Sequence, residues 1–280
     1  MTLQSWSKNM FVVSIQPLPA ASSNLQSDKI MSKTKPKIVQ LFVTCLVDVF
    51  YPNVGMSVVD ILQAQGITVE FPFDQTCCGQ PAFNGGFWDD ARVMAKHTLD
   101  LLSMTTGPII IPSGSCADMI IHHYSELLRD DPTYAYKIKQ LSKRTYEFTQ
   151  FLVDELGITN VGANCNGCAT YHPSCHGLRN LGLRTQSQAL LSNVEGLTGA
   201  ELPEAEECCG FGGLFSVKMS DISGVMLNRK LDHVEASGAD ILVGSDISCL
   251  MHMAGGLQKR GSNIQVKHIA ELLNENRNGG

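Results

Sequence analysis

Pro108-Ile109-Ile110-Ile111-Pro112-Ser113-Gly114-Ser115-Cys116 is a short β-branched run that stops at a proline and then delivers a cysteine. Three isoleucines between turn residues predict a buried strand, because branched side chains suit a pleated surface and proline cannot continue its ladder. Ala117 to Arg129 then predicts a helix. The same order occurs twice before it. Lys37 to Val43 predicts a strand ending at Thr44-Cys45. A helix opened by Pro52 and Gly55 follows, with Val54, Val58, Ile61 and Leu62 on one face and Gly66 as its stop. Ile67 to Phe71 predicts another strand, and the loop begun at Pro72 carries Cys77-Cys78-Gly79 ahead of helical periodicity from Asp89 to Ser103. Strand, cysteine loop and helix in this repeating order predict parallel βαβ units. In open parallel sheets ligands gather beyond the C-terminal strand ends. Cys45, Cys77, Cys78 and Cys116 are therefore expected to converge on one site.

The second part of the chain replays the first. Ala169 to His172 leads to Pro173-Ser174-Cys175, Leu197 to Leu202 leads to Cys208-Cys209-Gly210, and Asp240 to Val243 leads through Gly244-Ser245-Asp246-Ile247-Ser248 to Cys249. Helices are expected at about Leu178 to Leu191, Ser216 to Ser237 and Leu250 to Arg260, with a last strand at Ile264 to His268 before a C-terminal helix. The cysteines keep one rhythm: 31 residues separate Cys45 from Cys77 and 32 separate Cys175 from Cys208, while 36 separate Gly79 from Cys116 and 38 separate Gly210 from Cys249. A repeat this long marks a domain duplication, not a solenoid. The expected class is α/β, with two duplicated Rossmann-like parallel-sheet halves at residues 37–133 and 161–273. Tyr134 to Leu156 reads as a charged helix within a linker at 134–160, and residues 1–36 and 274–280 read as tails.

With 44% hydrophobic and 17% charged residues, the 280-residue chain has the balance of a globular protein with a sizeable core. The net charge of −6 is spread through the chain, so no basic stripe points to nucleic acid. No run of 18 apolar residues suggests a transmembrane segment. Met1 to Ser32 lacks the basic, apolar and small-residue regions of a secretory signal, and Met10 and Met31 stand as alternative starts. With no arginine before Arg92, an organelle transit peptide is weakly supported. A cytoplasmic protein is expected, and in that reducing compartment cysteine clusters serve as metal ligands or redox thiols more often than as disulfides.

Thiolates are soft donors suited to zinc, copper(I) and iron–sulfur clusters. Adjacent cysteine side chains diverge, so a vicinal pair fits a cluster of several irons better than one small tetrahedral ion. Glycine after the pair allows a positive φ and a close approach by backbone amides. Zinc, including zinc in one half only, remains the alternative, and buried structural thiols are the plain one. Cys165-Asn166-Gly167-Cys168 lies outside both frames, in an expected loop, and reads as incidental thiols more readily than as a redox dithiol. His172 and His176 flank Cys175, where an imidazole could tune a potential, move a proton or simply pack. His122-His123 reads as a solvated or half-buried pair on a helix. Neither Asn84-Gly85-Gly86 nor Phe211-Gly212-Gly213 opens a dinucleotide fingerprint, and phosphate-loop and nucleophile-elbow motifs are absent from the sequence.

Two copies of this cysteine frame resemble the cysteine-rich CCG-domain family, which includes the heterodisulfide reductase B subunit, the glycolate oxidase iron–sulfur subunit and the anaerobic glycerol-3-phosphate dehydrogenase C subunit. Cys45-Leu46-Val47-Asp48-Val49-Phe50-Tyr51-Pro52, Cys77-Cys78-Gly79-Gln80-Pro81-Ala82-Phe83-Asn84 and Tyr171-His172-Pro173-Ser174-Cys175-His176 are similar to the lactate utilization protein A group. The resemblance extends from about Lys37 to Leu273. It implies a subunit of a cytosolic L-lactate-oxidising system that yields pyruvate, working with a ferredoxin-like iron–sulfur protein and a third lactate utilization subunit. It also implies an iron–sulfur cluster, of 4Fe–4S type, held by Cys45, Cys77, Cys78, Cys116, Cys175, Cys208, Cys209 and Cys249. In the heterodisulfide reductase relatives a fifth cysteine precedes each closing one by three residues; here Ser113 and Asp246 stand there. Four thiolates remain per half, the usual count for a 4Fe–4S cluster. A thiol–disulfide reductase and a zinc-stabilised scaffold are the other functional readings. No arginine is placed by sequence to clamp L-lactate on this chain.

Overall fold

The structure, a computed structural model, describes residues 35–277. The expected N-terminal tail lies outside the described residues except for its last two. Among the described residues eight strands form two four-stranded sheets, each parallel throughout. In the first half β1 (Ile38–Leu41), β2 (Thr68–Glu70), β3 (Ile109–Ile111) and β4 (Thr145–Glu147) lie in the order β2-β1-β3-β4. In the second half β5 (Asn164–His172), β6 (Glu195–Ala200), β7 (Ile241–Gly244) and β8 (Gln265–His268) lie in the order β6-β5-β7-β8. The orders are the same, and the registers agree: Leu41 pairs with Ile110, and Tyr171 with Val243. Both are α/β halves of Rossmann-like form. The inner strands β3 and β7 are buried at every residue, as parallel strands covered on both faces must be.

The stretch read as one helix from Tyr134 to Leu156 is broken by a strand. A helix at Ala135–Ser142 is followed by β4, then by helical Phe148–Gln150 that continues as a π-helical turn, Phe151–Glu155. Thr145-Tyr146-Glu147 is too short to show a period in sequence, and pairing to β3, with Ile109 opposite Thr145 and Ile111 opposite Glu147, decides its conformation.

The last helix of each half crosses to the other. The turn Phe151–Glu155 packs on the second-half helix Gln186–Leu191, while the C-terminal helix Ile269–Asn274 packs on Pro52–Ala64. One apolar core therefore runs through both halves and includes Val58, Leu62, Phe151, Leu190 and Leu272. Residues 274–277, read as tail, are tied down: Asn274 donates to the Asp60 carboxylate at 3.0 Å, and Asn164 N–H donates to the Glu275 carbonyl at 3.1 Å. No helix among the described residues is long and apolar enough to cross a membrane.

Candidate metal centres

Each half brings its four cysteines together at the C-terminal ends of its strands. Cys45 opens the helix Cys45–Phe50 directly after β1, and Cys116 sits in the helix Gly114–Asp118 after β3. Cys175 precedes the π-helical turn His176–Asn180, and Cys249 lies in the first turn of Ile247–Arg260. The vicinal pairs come from loops whose glycines, Gly79 and Gly210, both take φ of 87°. A side chain would also collide: a Cβ on Gly210 would stand 2.8 Å from the Ser223 carbonyl oxygen, and one on Gly79 3.3 Å from that of Ala91.

The sulfurs form matching arcs. Cys45 Sγ lies 3.8 Å from Cys77 Sγ, and Cys78 Sγ lies 3.3 Å from Cys116 Sγ. These are non-bonded separations, well beyond the ~2.05 Å of a disulfide. In the second half the order is Cys175, Cys208, Cys209, Cys249, each hydrogen-bonded to the next. Hydrogen bonds from the Cys45 and Cys78 thiols, with Gly79 N–H, pull Cys77 down to about 3. Those from Cys175 and Cys209, with Gly210 N–H, pull Cys208 down to about 2. As the donors of those bonds, and by burial, Cys45 and Cys175 are pushed up. The first cysteine of each pair is thus the one its neighbours pull towards the thiolate form.

The two arcs face each other across the seam between the halves. The helix carrying Cys116 packs on the turn after Cys175, and the helix carrying Cys249 packs on the one opened by Cys45. Gly114 permits the first contact, since a Cβ there would lie 2.9 Å from Ser174 Oγ and 3.1 Å from Gly177 N. The cavities at the two arcs share Gln80, Ser115, Phe211, Gly213, Asp246 and Ser248 as walls. Ser113 and Asp246, far apart in sequence, meet in this seam. Asp246 Oδ2 accepts from Ser115 N–H at 2.8 Å and from the Ser113 hydroxyl at 3.3 Å, and its Oδ1 accepts from the Ser248 hydroxyl at 2.6 Å.

Asp118 is a second bridge, and sequence reasoning missed it. The residue is wholly buried, and its carboxylate faces His176 Nδ1 at 2.6 Å, Asn180 Nδ2 at 2.6 Å, His122 Nδ1 at 2.7 Å and His123 Nε2 at 3.2 Å. Burial alone would raise its pKa, but bonds from His176, His122 and Asn180 hold it at about 2. Burial works against a proton on His176, yet its bond to Asp118 outweighs that and raises its pKa. The far side of the His176 ring, Nε2, lies 3.2 Å from Gln80 Nε2. The available signal was a lone acid inside the apolar run Ala117-Asp118-Met119-Ile120-Ile121. His122 is exposed and His123 half-buried, within the solvated or half-buried pair read from sequence, but both serve this carboxylate. Cys165 and Cys168 are on strand β5, not in a loop, and neither belongs to a group of converging donors among the described residues.

The cysteine-rich domain (CCG) family model matches residues 39–121 and 169–254. A lactate utilization protein A from Shouchella clausii is 48% identical over 236 residues, covering 84% of this chain and 98% of that relative. The chain belongs to the lactate utilization protein A family. One from Bacillus cereus gives the same identity and coverage. In fold the chain is similar to the crystal structure of a hypothetical protein from Helicobacter pylori, with a TM-score of 0.61 at 12% identity over 88% of this chain. It spans 50% of that protein's length. Two arcs of soft donors, each with a cavity against it, are compatible with metal or iron–sulfur binding.

Proposed function

We propose that this chain is the redox subunit of a cytoplasmic L-lactate oxidation system, handing electrons from lactate, as pyruvate forms, to a ferredoxin-like iron–sulfur partner, with a third lactate utilization protein completing the system. The ligands are Cys45, Cys77, Cys78 and Cys116 in the first domain and Cys175, Cys208, Cys209 and Cys249 in the second. One observation carries this reading: two four-sulfur arcs of the same order line cavities that share walls at the seam between the halves. The name shared by relatives 48% identical over 84% of the chain supports the choice of lactate. A 4Fe–4S cluster, when bound, supplies one-electron transfer at each arc.

The chain's own residues shape the surroundings. Gly79 and Gly210 aim backbone N–H groups at Cys77 and Cys208, at 3.5 and 3.3 Å, which favours charge on those sulfurs. Asp118 fixes the proton of His176 on Nδ1 and so keeps Nε2 turned to Gln80 on the wall of the second cavity. At the two positions where a disulfide-cleaving relative carries a further cysteine, Ser113 and Asp246 bond to each other instead, which favours electron transfer over thiol–disulfide chemistry.

Anaerobic purification followed by iron, sulfide and zinc analysis tests the assignment. Iron and sulfide together are expected, with lactate-dependent reduction appearing only after the partner proteins are added. Stoichiometric zinc without sulfide would sink it and leave a scaffold role.

A further inference from the structure

His172 ends β5, three residues before Cys175, and is 1% exposed. Neither of its ring nitrogens has a hydrogen-bond partner among the described residues. Buried polar groups are nearly always paired, because an unpaired one loses the hydrogen bonds it would make with water. Two orphan nitrogens on one buried ring therefore call for a partner that protein atoms do not provide. The ring points at sulfur: a His172 nitrogen, Cys209 Sγ and Cys249 Sγ all lie within 4.8 Å of one another.

The first half supplies an internal control. Phe42, three residues before Cys45 and 1% exposed, occupies the equivalent place, one step beyond the matched pairs Leu41–Ile110 and Tyr171–Val243. It packs in an apolar cluster with Cys78 and Cys116. The same slot beside the same sulfurs thus holds a hydrocarbon ring in one half and a nitrogen donor in the other. Packing alone would be served by phenylalanine in both.

We propose that His172 is a nitrogen ligand of the second metal centre, so that this centre takes a mixed nitrogen and thiolate set while the first takes thiolates alone. The inference rests on the reading that the cysteine arcs hold metal. Imidazole is neutral as a ligand, so His172 would add a nitrogen donor beside the thiolates without adding negative charge.

The experiment uses the full chain, loaded anaerobically with iron and sulfide, with histidine carrying natural nitrogen or nitrogen-15. Pulsed electron paramagnetic resonance of the reduced protein is expected to show a strongly coupled nitrogen whose frequencies change with the isotope. In His172→Phe, which copies Phe42, that coupling is expected to vanish while at least about half of the iron remains on the first arc. A parent cluster without a strongly coupled histidine nitrogen, or a coupling that survives in His172→Phe, overturns the ligand assignment and leaves the cluster itself standing. If the variant does not fold, the isotope comparison on the parent decides alone. If the protein instead holds zinc without sulfide, the proposed function falls and zinc-edge X-ray absorption decides His172. A nitrogen-and-sulfur shell that turns to sulfur in His172→Phe supports the ligand, and an unchanged shell overturns it.

Discussion

The halves of this chain differ least at the sulfurs and most in the layer behind them. Both arcs run in the same order, both pairs close on a glycine at φ of 87°, and Cys77 and Cys208 each receive the glycine's own N–H. Behind the arcs, Phe42 in the first half corresponds to His172 in the second, Ser113 to Asp246, and Glu147 to His268. The cavity at the first arc is the larger, about 190 Å³ against about 70 Å³. The duplicated frame repeats the sulfur positions and varies the charge, polarity and access of the side chains around them. Two centres of the same architecture are thereby given different environments.

The sharpest contrast lies at the strand ends that launch the exchanged helices. Glu147 ends β4 and caps the helix after it, accepting from Thr149 N–H at 2.8 Å; His268 ends β8 and caps Ile269–Asn274, accepting from Ala270 N–H at 3.1 Å. Both are fully buried. Burial raises Glu147 from 4.5 to about 7, with the nearby Asp246 charge adding to the rise, and burial lowers His268 from 6.5 to about 4. Each is neutral where its unfolded counterpart would be charged, but the pH dependences oppose. For Glu147 the unfolded chain loses its proton first, so stability falls as pH rises from 4.5 to about 7. For His268 the unfolded chain gains its proton first, so stability falls as pH drops from 6.5 to about 4. Relative to the parent, Glu147→Gln is expected to gain as pH rises through its window, and His268→Asn to gain as pH falls through its own, each by up to about 3 kcal/mol. Urea unfolding from mildly acidic to neutral pH reads both. Slopes of the same sign would break the comparison.

This pairing explains what could be read in advance. The duplication, the parallel sheets and the eight converging cysteines follow from short β-branched runs that each end in a cysteine, because strand direction fixes where such residues gather. Glu147 was hidden because Thr145-Tyr146-Glu147 is a strand only through its pairing with β3. Asp118 was hidden because its four partners come from two helical turns, one in each half. The meeting of Ser113 with Asp246 depends on how the halves dock, and no periodicity within either half encodes that.

The glycines sharpen the comparison further. Alanine at either site must hold a left-handed backbone, at roughly 1–2 kcal/mol. Gly210 is also enclosed: a Cβ would lie 2.8 Å from the Ser223 carbonyl oxygen and 2.9 Å from Met226 Cβ, whereas at Gly79 the nearest atom is 3.3 Å away. Gly79→Ala is expected to lower stability by that backbone cost, and Gly210→Ala by about 1 kcal/mol more. Denaturant midpoints of the two variants test the difference, and equal losses would mean that the second loop yields as easily as the first.

Ser113 and Asp246 occupy matching positions but carry unequal weight. Asp246 accepts from Ser113, Ser115 and Ser248, whereas the Ser113 hydroxyl gives one long bond, 3.3 Å, and has Ser115 Oγ at 3.1 Å as an alternative partner. Ser113→Ala leaves Asp246 with its shorter bonds, so the expected cost is about 1 kcal/mol or less. Bound metal per chain is expected to stay unchanged, since the sulfurs of the first arc have no need of an oxygen ligand. The stability change is small and the metal count is the stronger readout. Release of metal from the first arc in Ser113→Ala would make the hydroxyl a ligand. The contrast between a thiolate-only first centre and a mixed second one would then have to be redrawn, with each half completing its arc by a different non-sulfur donor.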